Sequence, residues 1–202
     1  MAIEQKVREV EALFDRLEIE ISTFKSRTHL SCNVGCGKCC STPNIDASPL
    51  EFFPWAFYLF LNGKAEETLE LLKNTATKNC FLYRSISVLE NHKGSCSNYR
   101  YRGLICRLFG YGATSDKFGK LRLATCNIIK EQQSKNFATA EKDINNGIYV
   151  PIFTNYYMQL AQIDLRLGMT LLPINEALKI AIEEVLHYYA YRPFPDGLEN
   201  IA

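Results

Sequence analysis

The apolar positions at the start of the chain recur at alternating steps of four and three residues. This spacing puts them on one narrow stripe of a helix, and charged side chains occupy the other faces. The pattern predicts a long amphipathic helix within residues 1–30. That helix either packs on its own chain or forms the arm of a homodimer through residues 3–24. The stripe consists of Ile3, Val7, Val10, Phe14, Leu17, Ile21 and Phe24.

Helix start and stop signals recur further along the chain. Ser48, Pro49 and Glu51 form a capping-box start, and the aromatic-rich helix after them is predicted to kink at Pro54 and to end near Gly63. We interpret its aromatic side chains as core, because large aromatics dominate protein interiors. Further helices are predicted over residues 65–76, 137–146 and 152–167 and from 173 onward, and a hairpin over residues 111–124.

These elements predict a mainly α fold, with several packed helices, a small β-hairpin and an irregular cysteine-rich core that binds metal. The 202 residues, 47% of them hydrophobic, are enough for one core, so we expect a single domain over residues 1–202. Within it we expect an N-terminal amphipathic helix over residues 1–30, a cysteine-cluster core over residues 31–127 and C-terminal helices over residues 128–202.

Composition narrows the classes of partner. The net charge is +1, without the basic excess that binding to nucleic acid needs. The longest apolar run, residues 52–61, contains Pro54 and is too short to span a bilayer, so no membrane partner is expected. No charged-then-apolar leader opens the sequence. We therefore expect a cytoplasmic protein, in a reducing compartment where thiols stay available to metal ions.

Eight cysteines carry the candidate chemistry, and four of them follow one another at the spacing C-x3-C-x2-C-C. Thiolate is the soft ligand that selects zinc, copper(I) and iron–sulfur clusters. Gly35 and Gly37 allow the loop between these cysteines to curl around one centre. The sequence therefore predicts a metal site of zinc or iron. Its candidate ligands are Cys32, Cys36, Cys39, Cys40, Cys80, Cys96, Cys106 and Cys126.

The number and kind of metal ions stay open. Adjacent residues rarely ligate one tetrahedral centre together, so Cys39 and Cys40 suggest two sites or one multinuclear cluster. The spacing differs from the paired C-x2-C of common zinc ribbons, which favours iron or an iron–sulfur cluster slightly over zinc. Disulfides and unpaired thiols are the alternatives, and both fit a large chain without a secretory leader less well.

A radical S-adenosylmethionine enzyme would also carry C-x3-C-x2-C, where three thiolates hold a [4Fe–4S] cluster. Such enzymes place this loop after the first strand of a β/α barrel. Here a long predicted helix precedes the loop, and no run of βα units follows it. The motif without that context is a weak signal.

The whole pattern resembles the bacterial cysteine-cluster family named for its CxxCxxCC motif (YkgJ-type proteins), a zinc- or iron-chelating domain. The flagellin lysine methylase carries the same motif. The resemblance covers residues 32–126 and includes Tyr99, Arg102 and Arg107, which flank the later cysteines as in the family pattern. Gly103 and Phe81 stand where the family has proline, and these departures affect turns and not ligands.

The resemblance implies a metal-binding protein whose cysteines chelate zinc or iron, with an iron–sulfur cluster as one form. An iron–sulfur enzyme, such as one with protein-lysine methylase-like activity, is the first alternative. An interaction protein that uses the N-terminal helix and keeps a structural metal site is the second. We expect Tyr99, Arg102 and Arg107 to surround the ligands, with both arginines donating charge-assisted N–H···S bonds. No catalytic residue or substrate follows from the sequence.

Overall fold

The structure is a computed structural model that describes residues 1–33, 35–43, 45–86 and 94–195. It is mainly helical, and its short strands pair into small two-stranded sheets, which confirms the predicted fold class. The α-helices of these ranges are α1 (Ile3–Thr28), α2 (Phe53–Leu61), α3 (Ala65–Lys73), α4 (Leu104–Leu108), α5 (Asn127–Gln132), α6 (Ser134–Asn145), α7 (Phe153–Ile163), α8 (Leu165–Met169) and α9 (Ile174–Tyr189). The strands are β1 (Asp46–Ala47), β2 (Tyr83–Ser85), β3 (Gly94–Cys96), β4 (Ala113–Ser115), β5 (Leu121–Leu123) and β6 (Leu172–Pro173), and 3₁₀ turns span Pro49–Phe52 and Tyr99–Tyr101.

Helix α1 buries its whole apolar stripe inside its own chain. The seven stripe residues, from Ile3 to Phe24, are at most 6% exposed, and the helix packs on α2, α4, α6 and α7. Burying a large apolar side chain stabilises a fold by about 1.5–3 kcal/mol, so this seam is a major part of the core. Burial of the stripe within one chain is what the first interpretation, packing of the helix on its own chain, requires. A homodimer through residues 3–24 stays a prediction.

The capping box predicted at Ser48 is present, but it opens a different kind of helix. The Ser48 N–H donates to Glu51 Oε1 at 2.8 Å, and Ser48 Oγ accepts from the Leu50 N–H at 3.2 Å. The first turn is 3₁₀, and α2 begins after it with Pro54 in its first turn, where a missing N–H costs nothing. Where the sequence predicted a kink in one helix, the chain changes from a 3₁₀ turn to the α-helix α2. Phe52, Phe53 and Trp55 are at most 1% exposed, which confirms that the first part of the aromatic run is core, whereas Tyr58 near its end is 41% exposed.

The end predicted for the helix over residues 152–167 is wrong. Helix α7 stops before Asp164, whose side chain accepts from the Leu167 N–H at 2.9 Å and caps a new helix, α8. Gly168 lies inside α8, where it packs against α7. A Cβ at this position would lie only 2.7 Å from the Ala161 Cα. This glycine therefore allows two helices to approach closely and does not terminate one.

The remaining predicted elements frame the cysteine region. The hairpin β4–β5 pairs Ala113 with Leu123, as expected. Helix α9 packs on α2, α3 and the first 3₁₀ turn, and β6 pairs antiparallel with β1. The sequence also predicts a turn at residues 91–94, which lies outside the described residues except for Gly94, the first residue of β3. Among the described residues, none of the helices combines the length and the apolar character that crossing a bilayer would take.

Candidate metal centre

The loop that carries the first four cysteines is tied at its start to two other parts of the chain. The Ser31 N–H donates to Gln133 Oε1 at 3.0 Å, and Gln133 Nε2 donates back to the Ser31 carbonyl at 2.6 Å. The Cys32 N–H donates to the Tyr111 hydroxyl at 2.9 Å. These bonds fix where the chain enters the loop after α1, although Cys32 itself is exposed.

Two glycines bring the same loop onto the hairpin β2–β3. Gly35 has φ +74°, a conformation that side chains other than glycine rarely adopt, and its carbonyl accepts from the Gly94 N–H at 3.1 Å. A Cβ at Gly37 would lie 2.3 Å from the Tyr83 ring. Glycine at position 37 therefore allows the loop to contact Tyr83. That the loop curls around a metal centre stays a prediction.

The later cysteines reach the loop from four different elements. The Cys80 N–H donates to the Cys40 carbonyl at 3.2 Å, and the β2–β3 register places Cys96 opposite Tyr83. Cys106 lies within α4, and Cys126 is the residue that precedes the first turn of α5. All eight cysteines are free thiols.

Cys39 interacts electrostatically with thiols from several parts of the chain. Burial is the main reason that the pKa of Cys32, Cys80, Cys96 and Cys106 is raised, and charge on Cys39 adds to that rise. Charge on Cys36 and on Cys126 likewise adds to the raised pKa of Cys32. Repulsion of this kind falls off with distance, and the convergence of all eight cysteines stays a prediction.

The adjacent pair divides its protons unequally. A hydrogen bond from the Cys40 thiol, which outweighs burial, lowers the pKa of Cys39 to about 6. The same hydrogen bond, together with burial, raises the pKa of Cys40. The hydrogen bond therefore favours thiolate, the form that ligates metal, on Cys39 over Cys40.

Burial acts in the other direction on the deeper thiols. It raises the pKa of Cys80 to about 11 and is the main reason that the pKa of Cys106 and of Cys96 lies above the ordinary value. A group of thiols that resists ionisation needs a nearby cation to become thiolate. As placed, no three Cys, His, Asp or Glu side chains of the described ranges surround a common point in the arrangement of a metal site.

The two arginines of the family pattern, Arg102 and Arg107, donate the hydrogen bonds found for them to oxygen atoms and not to the thiols. Arg102 Nη1 donates to the Tyr99 hydroxyl at 2.8 Å and stacks over its ring, 4.2 Å from the centroid. The charge of Arg102 opposes the burial that raises the pKa of Cys32 and Cys96, and it adds to the hydrogen bond from Cys40 that lowers the pKa of Cys39. Arg102 Nε is buried and has no hydrogen-bond partner among the described residues. That orphaned donor and the eight soft thiols fit a thiolate-bound metal centre.

A buried carboxylate that the sequence suggested only as a helix cap also supports the centre. Glu51 is fully buried, and it accepts from the Ser48 N–H, the Tyr157 hydroxyl and the Ile105 N–H at 2.8–2.9 Å. Burial raises its pKa to about 7 against the lowering effect of these donors. Through Ile105 it fixes the start of α4, the helix that carries Cys106.

Comparison with known proteins agrees with this geometry. No curated protein and no solved structure matches the chain. One family model matches residues 31–136, more than half of the chain, and its description is "Putative zinc- or iron-chelating domain". The match begins just before Cys32 and ends beyond Cys126, so it contains every candidate ligand. The chain belongs to this family, the CxxCxxCC family.

Proposed function

We propose that the eight cysteines of this chain bind zinc or iron as one thiolate-rich centre. The observation that carries the proposal is the electrostatic coupling of Cys39 with thiols from the loop, from β3 and from α4. Eight thiols held this close would repel one another once ionised, and a divalent or higher cation removes that cost. The description of the family as a zinc- or iron-chelating domain supports the same function.

Two metal positions or one multinuclear cluster fit the ligand set better than a single ion. Cys39 and Cys40 are adjacent, and neighbouring residues rarely ligate one tetrahedral centre together. One tetrahedral centre takes four ligands, so eight cysteines exceed what one zinc ion needs. A reducing cytoplasm would keep these thiols from forming disulfides.

An iron–sulfur enzyme, for which a protein-lysine methylase-like activity is the model, is the second candidate. The exposure of Cys32 favours it, since a catalytic centre must be open to its substrate on one side. When bound, an iron–sulfur cluster would supply one-electron chemistry. In a closed site, every metal position would instead be filled by sulfur, and the function would be structural or metal storage.

Purification under argon, followed by metal analysis and an absorption spectrum, tests the proposal. We expect zinc or iron in the purified protein. A broad visible absorption that bleaches with dithionite would identify an iron–sulfur cluster, whereas zinc gives a colourless protein. Protein that contains neither metal, and that takes up neither Zn²⁺ nor Fe²⁺ when they are added, contradicts the proposed function.

A further inference from the structure

A carboxylate on α1 contacts both arginines of the cysteine region. Glu18 Oε1 accepts from Arg107 Nη1 at 2.5 Å and from Arg102 Nη2 at 2.9 Å. The side chains of the two arginines are 9% and 14% exposed and that of Glu18 is 41% exposed, so water reaches these ion pairs from the carboxylate side. Glu18 itself lies outside residues 31–136, the part of the chain that the family model covers.

Each of the three guanidinium nitrogens of Arg107 donates a hydrogen bond within the protein. Besides the bond to Glu18, its Nε donates to the Arg102 carbonyl at 3.0 Å and its Nη2 to the Arg100 carbonyl at 2.6 Å. Its guanidinium also lies over the ring of Phe14, one turn before Glu18 on α1. Arg107 therefore holds the backbone before α4 through bonds from each of its guanidinium nitrogens.

Arg102 differs from Arg107 in one respect. Its Nη1 and Nη2 donate to Tyr99 and Glu18, whereas its buried Nε has no acceptor among the described residues. Leaving a buried N–H without an acceptor is destabilising. The groups that its charge acts on include Cys32, Cys39 and Cys96. A thiolate that carries metal would be a charged acceptor of the kind this donor lacks.

We propose that Glu18 is a positioning residue of the metal centre: it holds Arg102 through Nη2, so that Nε–H can donate to a metal-bound thiolate. The inference rests on the proposed function and extends the centre to the N-terminal helix. The carboxylate of Glu18 contacts both guanidinium groups and reduces the repulsion between them. Without the carboxylate, Arg102 would lose one of its two anchors.

A merely structural clamp would also involve these contacts, and a double-mutant cycle separates the two roles. If Glu18 acts on metal through Arg102, Glu18→Gln should have no further effect on metal affinity once Arg102 is changed to Gln. If Glu18 only stabilises the fold, the two effects should be independent and add. Glu9 provides the control, because it lies on the same helix and bonds only to Gln5 among the described residues.

The experiment measures the affinity of the full chain for Zn²⁺ by competition with a chromogenic chelator, and for Fe²⁺ under argon. For the metal that the wild type binds, we expect Glu18→Gln to weaken affinity about tenfold, as loss of a group that orients metal ligands does. Glu9→Gln should bind like the wild type. In the Arg102→Gln background, Glu18→Gln should change nothing.

Equal affinities of Glu18→Gln and Glu9→Gln would overturn the inference, and so would a tenfold loss that persists in the Arg102→Gln background. If Glu18→Gln does not fold, Glu18→Asp takes its place, because it keeps the charge and withdraws the carboxylate from the arginines. With Glu18→Asp, the inference is likewise overturned by an affinity equal to that of Glu9→Gln or by a loss that persists in the Arg102→Gln background. A wild type that binds neither metal contradicts the proposed function itself, and the inference with it.

Discussion

Gly103 and Glu51 approach so closely that no side chain fits between them. A Cβ at position 103 would lie 2.8 Å from Glu51 Oε2 and 2.9 Å from the ring of Phe52. The Glu51 carboxylate cannot easily withdraw, because the donors of Ser48, Tyr157 and Ile105 hold it. The backbone of Gly103 has φ −66°, which proline could adopt, so the contact itself explains why the family's proline is absent here.

Gly103→Ala should therefore destabilise the protein by about 1–3 kcal/mol, the usual cost of overpacking a filled site. Urea unfolding of the purified protein measures it. Adding Phe52→Leu to Gly103→Ala removes part of the ring that the new methyl group meets. The double variant should lose less stability than the sum of the two single changes. A Gly103→Ala protein as stable as the wild type would refute this account of the departure.

The buried carboxyl group of Glu51 should make stability depend on pH. Its pKa is raised from 4.5 to about 7 in the folded chain, so folding favours the protonated form. The stability that this gives is fully present below about pH 4.5 and is lost as the pH rises through about 7. We expect the difference in unfolding free energy between the wild type and Glu51→Gln to shrink over that interval and to be constant on either side.

Urea unfolding of both proteins from pH 4 to pH 8, in excess chelator so that metal release does not contribute, checks this. Taking the difference removes the ionisation of the cysteines, which both proteins share. A difference that does not change with pH would mean that Glu51 has an ordinary pKa and does not stay protonated by burial.

The two interpretations of the N-terminal stripe differ in what a buried charge would do. Val10 is fully buried inside its own chain, so Val10→Asp should destabilise the monomer by several kcal/mol. Ala12→Asp, on the exposed face of the same helix, should leave stability nearly unchanged. Light scattering measures the molecular mass of each variant in solution. If the stripe formed a homodimer arm, Val10→Asp would instead halve the mass while the fold survived.

Loss of a ligand should remove metal and stability together, because metal binding to a site absent from the unfolded chain adds to the folding free energy. We expect Cys36→Ser and Cys106→Ser to lower metal content and the melting temperature of the metal-loaded protein. Ser95→Ala, at an exposed position of β3 beside Cys96, is the matched control and should change neither. Full metal content in both cysteine variants would exclude these residues as ligands.

Local signals predicted the helices well, and long-range contacts explain what the sequence did not predict. The stripe from Ile3 to Phe24 and the capping box at Ser48 depend on neighbours within a few turns, and both are present. Gly168 was misread as a helix end because its close partner, Ala161, belongs to another helix. Glu18 gave no signal, since its arginine partners lie 84 and 89 positions away.

The candidate ligands could be named from spacing alone, because the CxxCxxCC pattern is specific. How the cysteines are held could not be predicted, because it depends on pairs such as Gly37 with Tyr83 and Ser31 with Gln133. No periodic pattern relates these residues. Tyr99, Arg102 and Arg107 were expected to surround the ligands, and the role of the two arginines as donors to sulfur stays a prediction.

X-ray absorption at the metal edge of the purified protein tests the central claim most directly, since it reports which atoms surround the metal. The account predicts sulfur neighbours, at about 2.3 Å if the metal is zinc. It also predicts that Cys39→Ser reduces the sulfur signal or the metal content. A first shell made of nitrogen and oxygen alone, at about 2.0–2.2 Å, would contradict the claim that the cysteines hold the metal.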